Sequence, residues 1–203
     1  MTAAGTPGAD RAFAVEALPK VSRTFALCIR LLPPDLEHAV RIAYLLCRIA
    51  DTIEDSIGLD AEDKRRCLGA FGETVADPAG PSDPVDTSFL RTAFAGAPGD
   101  EPLLAREADR VLREFRRLTD VEREAIAPWV VEMCDGMAAF SRDPAREDEL
   151  PTLETVADLD RYCYYVAGTV GHLLTGLFGL EIADPERTGR LEAFATSFGL
   201  GLQ

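Results

Sequence analysis

The chain is short of positive charge. It carries 21 Lys and Arg against 35 Asp and Glu, for a net charge of −14. Nucleic-acid binders present basic patches, so nucleic acid is excluded as a partner. A small diphosphate stays open where a metal ion and a few arginines reverse the local sign. No window of 18 consecutive apolar residues is found, which argues against a membrane-spanning helix. Residues 1–10 have neither a basic cluster nor an apolar run, so no secretory leader is expected. The five cysteines (Cys28, Cys47, Cys67, Cys134 and Cys163) include no C-x-x-C and are odd in number. They fit reduced, buried thiols of a cytoplasmic protein better than a disulfide framework. With 203 residues, 47% of them hydrophobic, the chain can bury the core of one sizeable domain.

What is present is helical periodicity, and it predicts an all-α fold. The stretch from Ala39 to Asp55 has no Gly or Pro inside it and repeats apolar residues every three or four positions. Asp51 and Asp55 are four apart, which places both on one helical face, with Glu54 beside them and Arg48 and Tyr44 one and two turns earlier. Like charges at this spacing cost an exposed helix about 0.2–0.5 kcal/mol per pair. Magnesium would offset that cost, since it is held by one or two carboxylates together with phosphate oxygens. The competing reading is a solvated helix end. The apolar run leading into the acids favours a cavity at that point.

The rest of the chain reads in order. Residues 1–20 are expected to be a flexible segment holding at most a short helix that stops before Pro19, with one domain over 21–203. Ser22 caps a helix to about Leu32, Pro33-Pro34 breaks it, and Asp35 caps the long helix. Asp60 opens another, and residues 77–100 are a connection with a short helix near Phe89. Glu101 to Leu118 reads as one charged helix at the periphery. Asp120 to Phe140 is more apolar, with Gly136 marking a kink or a close approach. In the helix from Leu153 to Leu180, Gly168 and Gly171 form a small face open to a backbone or a flat apolar ligand, and His172 reads as structural. Leu191, Phe194, Ala195, Phe198 and Leu202 are expected to be a core stripe of the last helix.

Val21-Ser22-Arg23-Thr24-Phe25, Tyr44 to Asp55 and Tyr162 to Gly171 together resemble the squalene and phytoene synthase family of head-to-head prenyl transferases. The resemblance covers about Val21 to Gln203, and Asp51-Thr52-Ile53-Glu54-Asp55 is most similar to the squalene synthase branch. It implies an all-α isoprenoid-synthase-type bundle, incomplete in this chain, whose cavity is flanked by two aspartate-rich motifs. Asp51, Glu54 and Asp55 match the first, a Mg²⁺ site. The second, D-x-x-E-D, is expected beyond Gln203. By this resemblance Arg23 and Arg48 contact diphosphate, and Ser22 and Phe25 belong to a flap over the substrate. Tyr44 and Tyr162 face the ionising centre, while Val166, Gly168 and Gly171 line the prenyl channel. The expected protein is one subunit of a split enzyme joining two farnesyl diphosphates, the second motif coming from a partner chain. NADPH would serve a reductive step, and peripheral membrane association would aid product release. The alternatives are a phytoene- or dehydrosqualene-synthase-like transferase and a non-catalytic homologue that binds a prenyl transferase.

Overall fold

Helix starts follow the side chains able to cap them. The computed structural model describes residues 7–77, 83–141, 155–182 and 184–201. Its elements are α1 (Pro7–Val21), α2 (Arg23–Ile29), α3 (Pro34–Glu54), α4 (Ala61–Ala76), α5 (Ser88–Ala93), α6 (Asp100–Arg106), α7 (Ala108–Phe115), α8 (Asp120–Phe140), α9 (Val156–Cys163), a π-helical turn (Tyr164–Gly168), α10 (Thr169–Glu181) and α11 (Pro185–Leu200). The Asp60 carboxylate accepts from the Asp63 N–H at 2.8 Å, while Thr119 with Glu122 and Thr155 with Asp158 form reciprocal capping boxes. Pro34 occupies the first turn of α3, where its missing N–H costs nothing, so the helix opens there and not at Asp35. The described residues are 81% helical, with no strand among them.

The bundle is built around α3. It packs against α1, α4, α6, α7, α8 and α10, and Leu45, Leu46, Ile49 and Ile53 have no exposed surface. Each such side chain contributes roughly 1.5–3 kcal/mol by leaving water. Because α3 touches so many neighbours, its polar C-terminal end is held rigidly in place.

Several expectations are corrected. The segment expected to be flexible is helical from Pro7 onward, with Pro19 in the last turn, and it buries Asp10, Ala14 and Leu18. Arg110, Arg113 and Arg117 grip Asp10 and fix α1 to the bundle. The helix expected over Glu101–Leu118 is interrupted at Glu107 and is not peripheral, since Leu104, Ala105, Ala108, Val111 and Leu112 are all buried. Residues 156–181 are long and apolar enough, by length and composition, to cross a membrane, contrary to the sequence reading. Here they pack against α3, α8 and α11. The start expected at Leu153 lies outside the described residues.

The last helix reverses its expected face. Ala195 and Gly199 are buried, while Leu191, Phe194 and Phe198 are exposed at 38%, 67% and 54%; Leu202 lies outside the described residues. The reason is the close crossing of α10 and α11. A Cβ on Gly171 would sit 1.9 Å from the Ala195 carbonyl oxygen, and one on Gly199 would sit 2.1 Å from the Ala167 carbonyl oxygen. Only the small-residue side of α11 can approach so near, so the large apolar side faces away.

Candidate active site

The C-terminal turn of α3 concentrates negative charge where a helix least tolerates it. The carbonyl end of the helix dipole is negative, and this turn has no basic residue. Asp51 and Glu54 are half-buried there, and Asp55 is exposed as the C-cap, its N–H bonded to the Asp51 carbonyl at 2.8 Å. Burial pushes the Asp51 carboxyl up, Arg48 offsets part of this, and Asp55 and Glu54 add to it, for a pKa of about 7. Burial also raises Glu54. The cluster destabilises itself, as expected of acids placed to meet a cation.

Arg48 is the nearest compensating charge. Its guanidinium pairs with Glu101 of α6 and lies 3.6 Å from Asp51, while its buried Nε has no hydrogen-bond partner. Glu101 was missed by sequence reasoning. It stands 53 residues from Arg48, in a segment expected at the periphery, so no local signal marks it.

Two tyrosines flank the acids. The Tyr162 hydroxyl donates to Glu54 Oε1 at 3.0 Å, and the Phe140 ring meets Tyr162 edge-on at 5.6 Å between centroids. Burial and the Glu54 charge both raise the Tyr162 phenol, so it is a neutral donor. Glu54 therefore faces Tyr162, whereas Asp51 and Asp55 share the outer face. Tyr44 lies two turns before Asp51 on α3, and its ring is 5.3 Å from that of Phe25. Ser22 caps α2 by accepting from the Phe25 N–H at 3.3 Å. Arg23 is exposed on the same helix.

Val166, Gly168 and Gly171 are the residues that the resemblance expects along a prenyl channel. Val166 packs on the main core, the Tyr164 ring lies against Gly168, and the backbone of α11 at Ala195 covers Gly171. Gly136, read as a kink or close approach, is the latter: the Tyr165 ring lies against it, and a Cβ there would come within 2.0 Å of the ring. His172 is structural, with Nε2 2.8 Å from Thr196 Oγ1 and its ring stacked 4.5 Å from Trp129.

The donors suit magnesium in part. The carboxylates of Asp51 and Asp55 offer hard oxygen donors short of positive charge, which would fit an ion that takes one or two carboxylates and completes its shell with phosphate and water. No group of three or more His, Cys, Asp or Glu able to hold a metal ion converges among the described residues.

This helical bundle, whose central helix ends in clustered acids faced by a half-buried phenol, matches the all-α isoprenoid-synthase fold of squalene synthase. The family model described as squalene/phytoene synthase matches residues 18–203, so the chain belongs to the squalene/phytoene synthase family, a family of prenyltransferases. It is 36% identical over 194 residues to squalene synthase BSS of Botryococcus braunii, covering 96% of this chain and 38% of that one. It is 32% identical over 192 residues to the squalene synthase of Schizosaccharomyces pombe, covering 92% and 38%. A solved structure of TcSQS with the ligand BPH1237 superposes with a TM-score of 0.73 at 33% identity, over 96% of this chain and 51% of that one. The chain thus spans 38% to 51% of the length of these relatives.

Proposed function

We propose that this chain supplies the first acidic motif of a squalene-synthase-type enzyme that joins two farnesyl diphosphates head to head. A second polypeptide supplies a D-x-x-E-D motif and the remaining helices. The observation that carries this reading is the under-compensated cluster of Asp51, Glu54 and Asp55 beside the Tyr162 phenol. The relatives named as squalene synthases support the head-to-head coupling in this reading.

In this reading Asp51 and Asp55 would hold Mg²⁺, and Glu54 would orient Tyr162 while adding charge to the metal side. Bound magnesium would supply positive charge for a departing diphosphate. Arg48, once released from Glu101, and Arg23 would bind diphosphate oxygens, a fork geometry that guanidinium matches. Ser22 and Phe25 would close over the donor and exclude water, while Tyr44 and Tyr162 would line the cationic centre. Tyr162, held neutral, would keep its proton at the hydroxyl oxygen until a basic group accepts it. Reduction of the coupled product to squalene would draw on NADPH, to which no described residue is assigned.

The test is titration of the chain with a farnesyl thiodiphosphate, with and without Mg²⁺. Metal-dependent binding that Asp51→Asn abolishes supports the site. Turnover of farnesyl diphosphate should appear only when a helical protein carrying D-x-x-E-D is added. Full turnover by the purified chain alone would refute the split.

A further inference from the structure

Arg48 passes over the acid on its own helix. Asp51 stands one turn further along α3, yet the guanidinium keeps 3.6 Å from it and makes its closer ion pair with Glu101 of α6. Acid and arginine three apart on a helix can approach further than that, as Asp63 and Arg66 do at 2.6 Å on α4. Something holds Arg48 back.

Glu101 is fixed where it can do so. Gly99 turns the chain into α6 with a backbone φ of 108°, which an L side chain rarely adopts. Leu104 and Ala105 are buried, and Arg106 donates to the carbonyls of Phe94 and Ala97 at 2.9 and 2.7 Å. This short helix is therefore anchored at both ends, and its carboxylate competes for the guanidinium from a set position. The pairing is also reversible. Glu101 keeps 46% of its side chain exposed, so water can solvate the carboxylate when the guanidinium leaves, whereas Asp10 at 1% has no such exit.

We propose that Glu101 is a positioning residue: it holds Arg48 on the α6 side and keeps it from closing on Asp51, so that the Asp51 carboxylate stays open to a cation. Asp51 is the other acid within 4 Å of this guanidinium among the described residues. A full ion pair there would put an internal cation where magnesium is to bind. The buried Nε of Arg48 has no hydrogen-bond partner among the described residues, which adds to the drive toward a second acceptor. This deepens the proposed function and rests on its metal site; the contest for Arg48 does not.

The experiment compares Glu101→Ala with the parent chain by crystal structures without ligand and by the magnesium-induced shift in melting temperature at pH 8. In Glu101→Ala the guanidinium should close on Asp51 to about 2.7–2.9 Å. Magnesium affinity should fall by about fivefold, the worth of a partly exposed ion pair that the metal must then break. Glu101→Asp keeps the charge and should stay within about twofold of the parent. In an Arg48→Gln background, Glu101→Ala should change the affinity by less than about twofold, because no guanidinium remains to be held. Circular dichroism should show every variant folded; were Glu101→Ala to unfold, Glu101→Gln, which keeps the volume, carries the same expectations.

A guanidinium that stays 3.6 Å or more from Asp51 in the variant overturns the proposal. So does unchanged affinity despite closure, or a loss that persists in the Arg48→Gln background and so marks Glu101 as background charge alone. If the parent chain binds no magnesium, the crystal structures still decide: closure upholds the positioning and sinks only the metal site of the proposed function, and no closure sinks both.

Discussion

Asp10 and Asp51 are both drawn away from water, and their surroundings treat them in opposite ways. Asp10 is 1% exposed and is met by Arg113 through two hydrogen bonds of 2.8 and 2.9 Å, with Arg117 and Arg110 at 3.3 and 3.4 Å. Burial alone would raise its pKa, but the arginine contacts prevail and lower it. Asp51 has one guanidinium at 3.6 Å, shared with Glu101, and two acidic neighbours, so burial prevails. An acid whose charge is fully met within the fold holds the fold together. An acid left short of counter-charge weakens the fold where it stands, which is the imbalance the proposed metal would relieve.

The largest expected effect tests the matched acid. Asp10→Ala leaves three arginines facing an empty site and should lower the unfolding free energy by about 3–5 kcal/mol in urea titration. The same change at position 51 should act in the opposite sense. The native pKa of Asp51 lies above its unfolded value, so the native state holds a proton that the unfolded chain has released. Stability therefore falls as pH rises from about 4 to 7, and the cost is fully present above that window. Asp51→Asn should flatten this part of the profile and stabilise the chain at pH 8 by on the order of 1 kcal/mol, since a side chain that is 31% exposed is partly screened. Asp10, with a lowered pKa, contributes stability above its unfolded pKa that is lost only as pH falls through its native one.

Magnesium sharpens the contrast. A cation that binds only the folded state should raise the melting temperature at pH 8, and Asp51→Asn/Asp55→Asn should remove that shift while Asp10 variants retain it. Equal shifts in all of them would erase the distinction. The smallest effect is expected from Tyr162→Phe. It removes one hydrogen bond to a half-buried Glu54 that water can reach, costing roughly 0.5 kcal/mol in the same titration.

The acidic end of α3 was legible in the sequence because its signal is local: spacing of three and four within one helix fixes the shared face of Asp51 and Asp55. The span of α8, Asp120–Phe140, was legible for the same reason, and the structure adds the Thr119 and Glu122 capping box at its start. Long-range pairings were not. Nothing near Arg48 announces Glu101, and nothing near Asp10 announces the arginines of α7, because these partners meet only after packing. The outward face of α11 was misread through amphipathicity itself. Large apolar residues favoured burial, yet the steric demand of a backbone-to-backbone crossing at Gly171 and Gly199 gave the inner side to the smaller residues.

The π-helical turn at Tyr164–Gly168 has its own consequence. Winding wider than an α-helix, it delays everything downstream by a fraction of a revolution, so Tyr162 before it addresses Glu54 while Gly171 after it addresses Ala195. One uninterrupted α-helix would couple those two orientations rigidly, at about 100° per residue. The turn works as a phase adjuster: it lets a single rod aim a phenol at one neighbour and seat another neighbour flush, and removal of one residue from it would leave either the aim or the seating out of step.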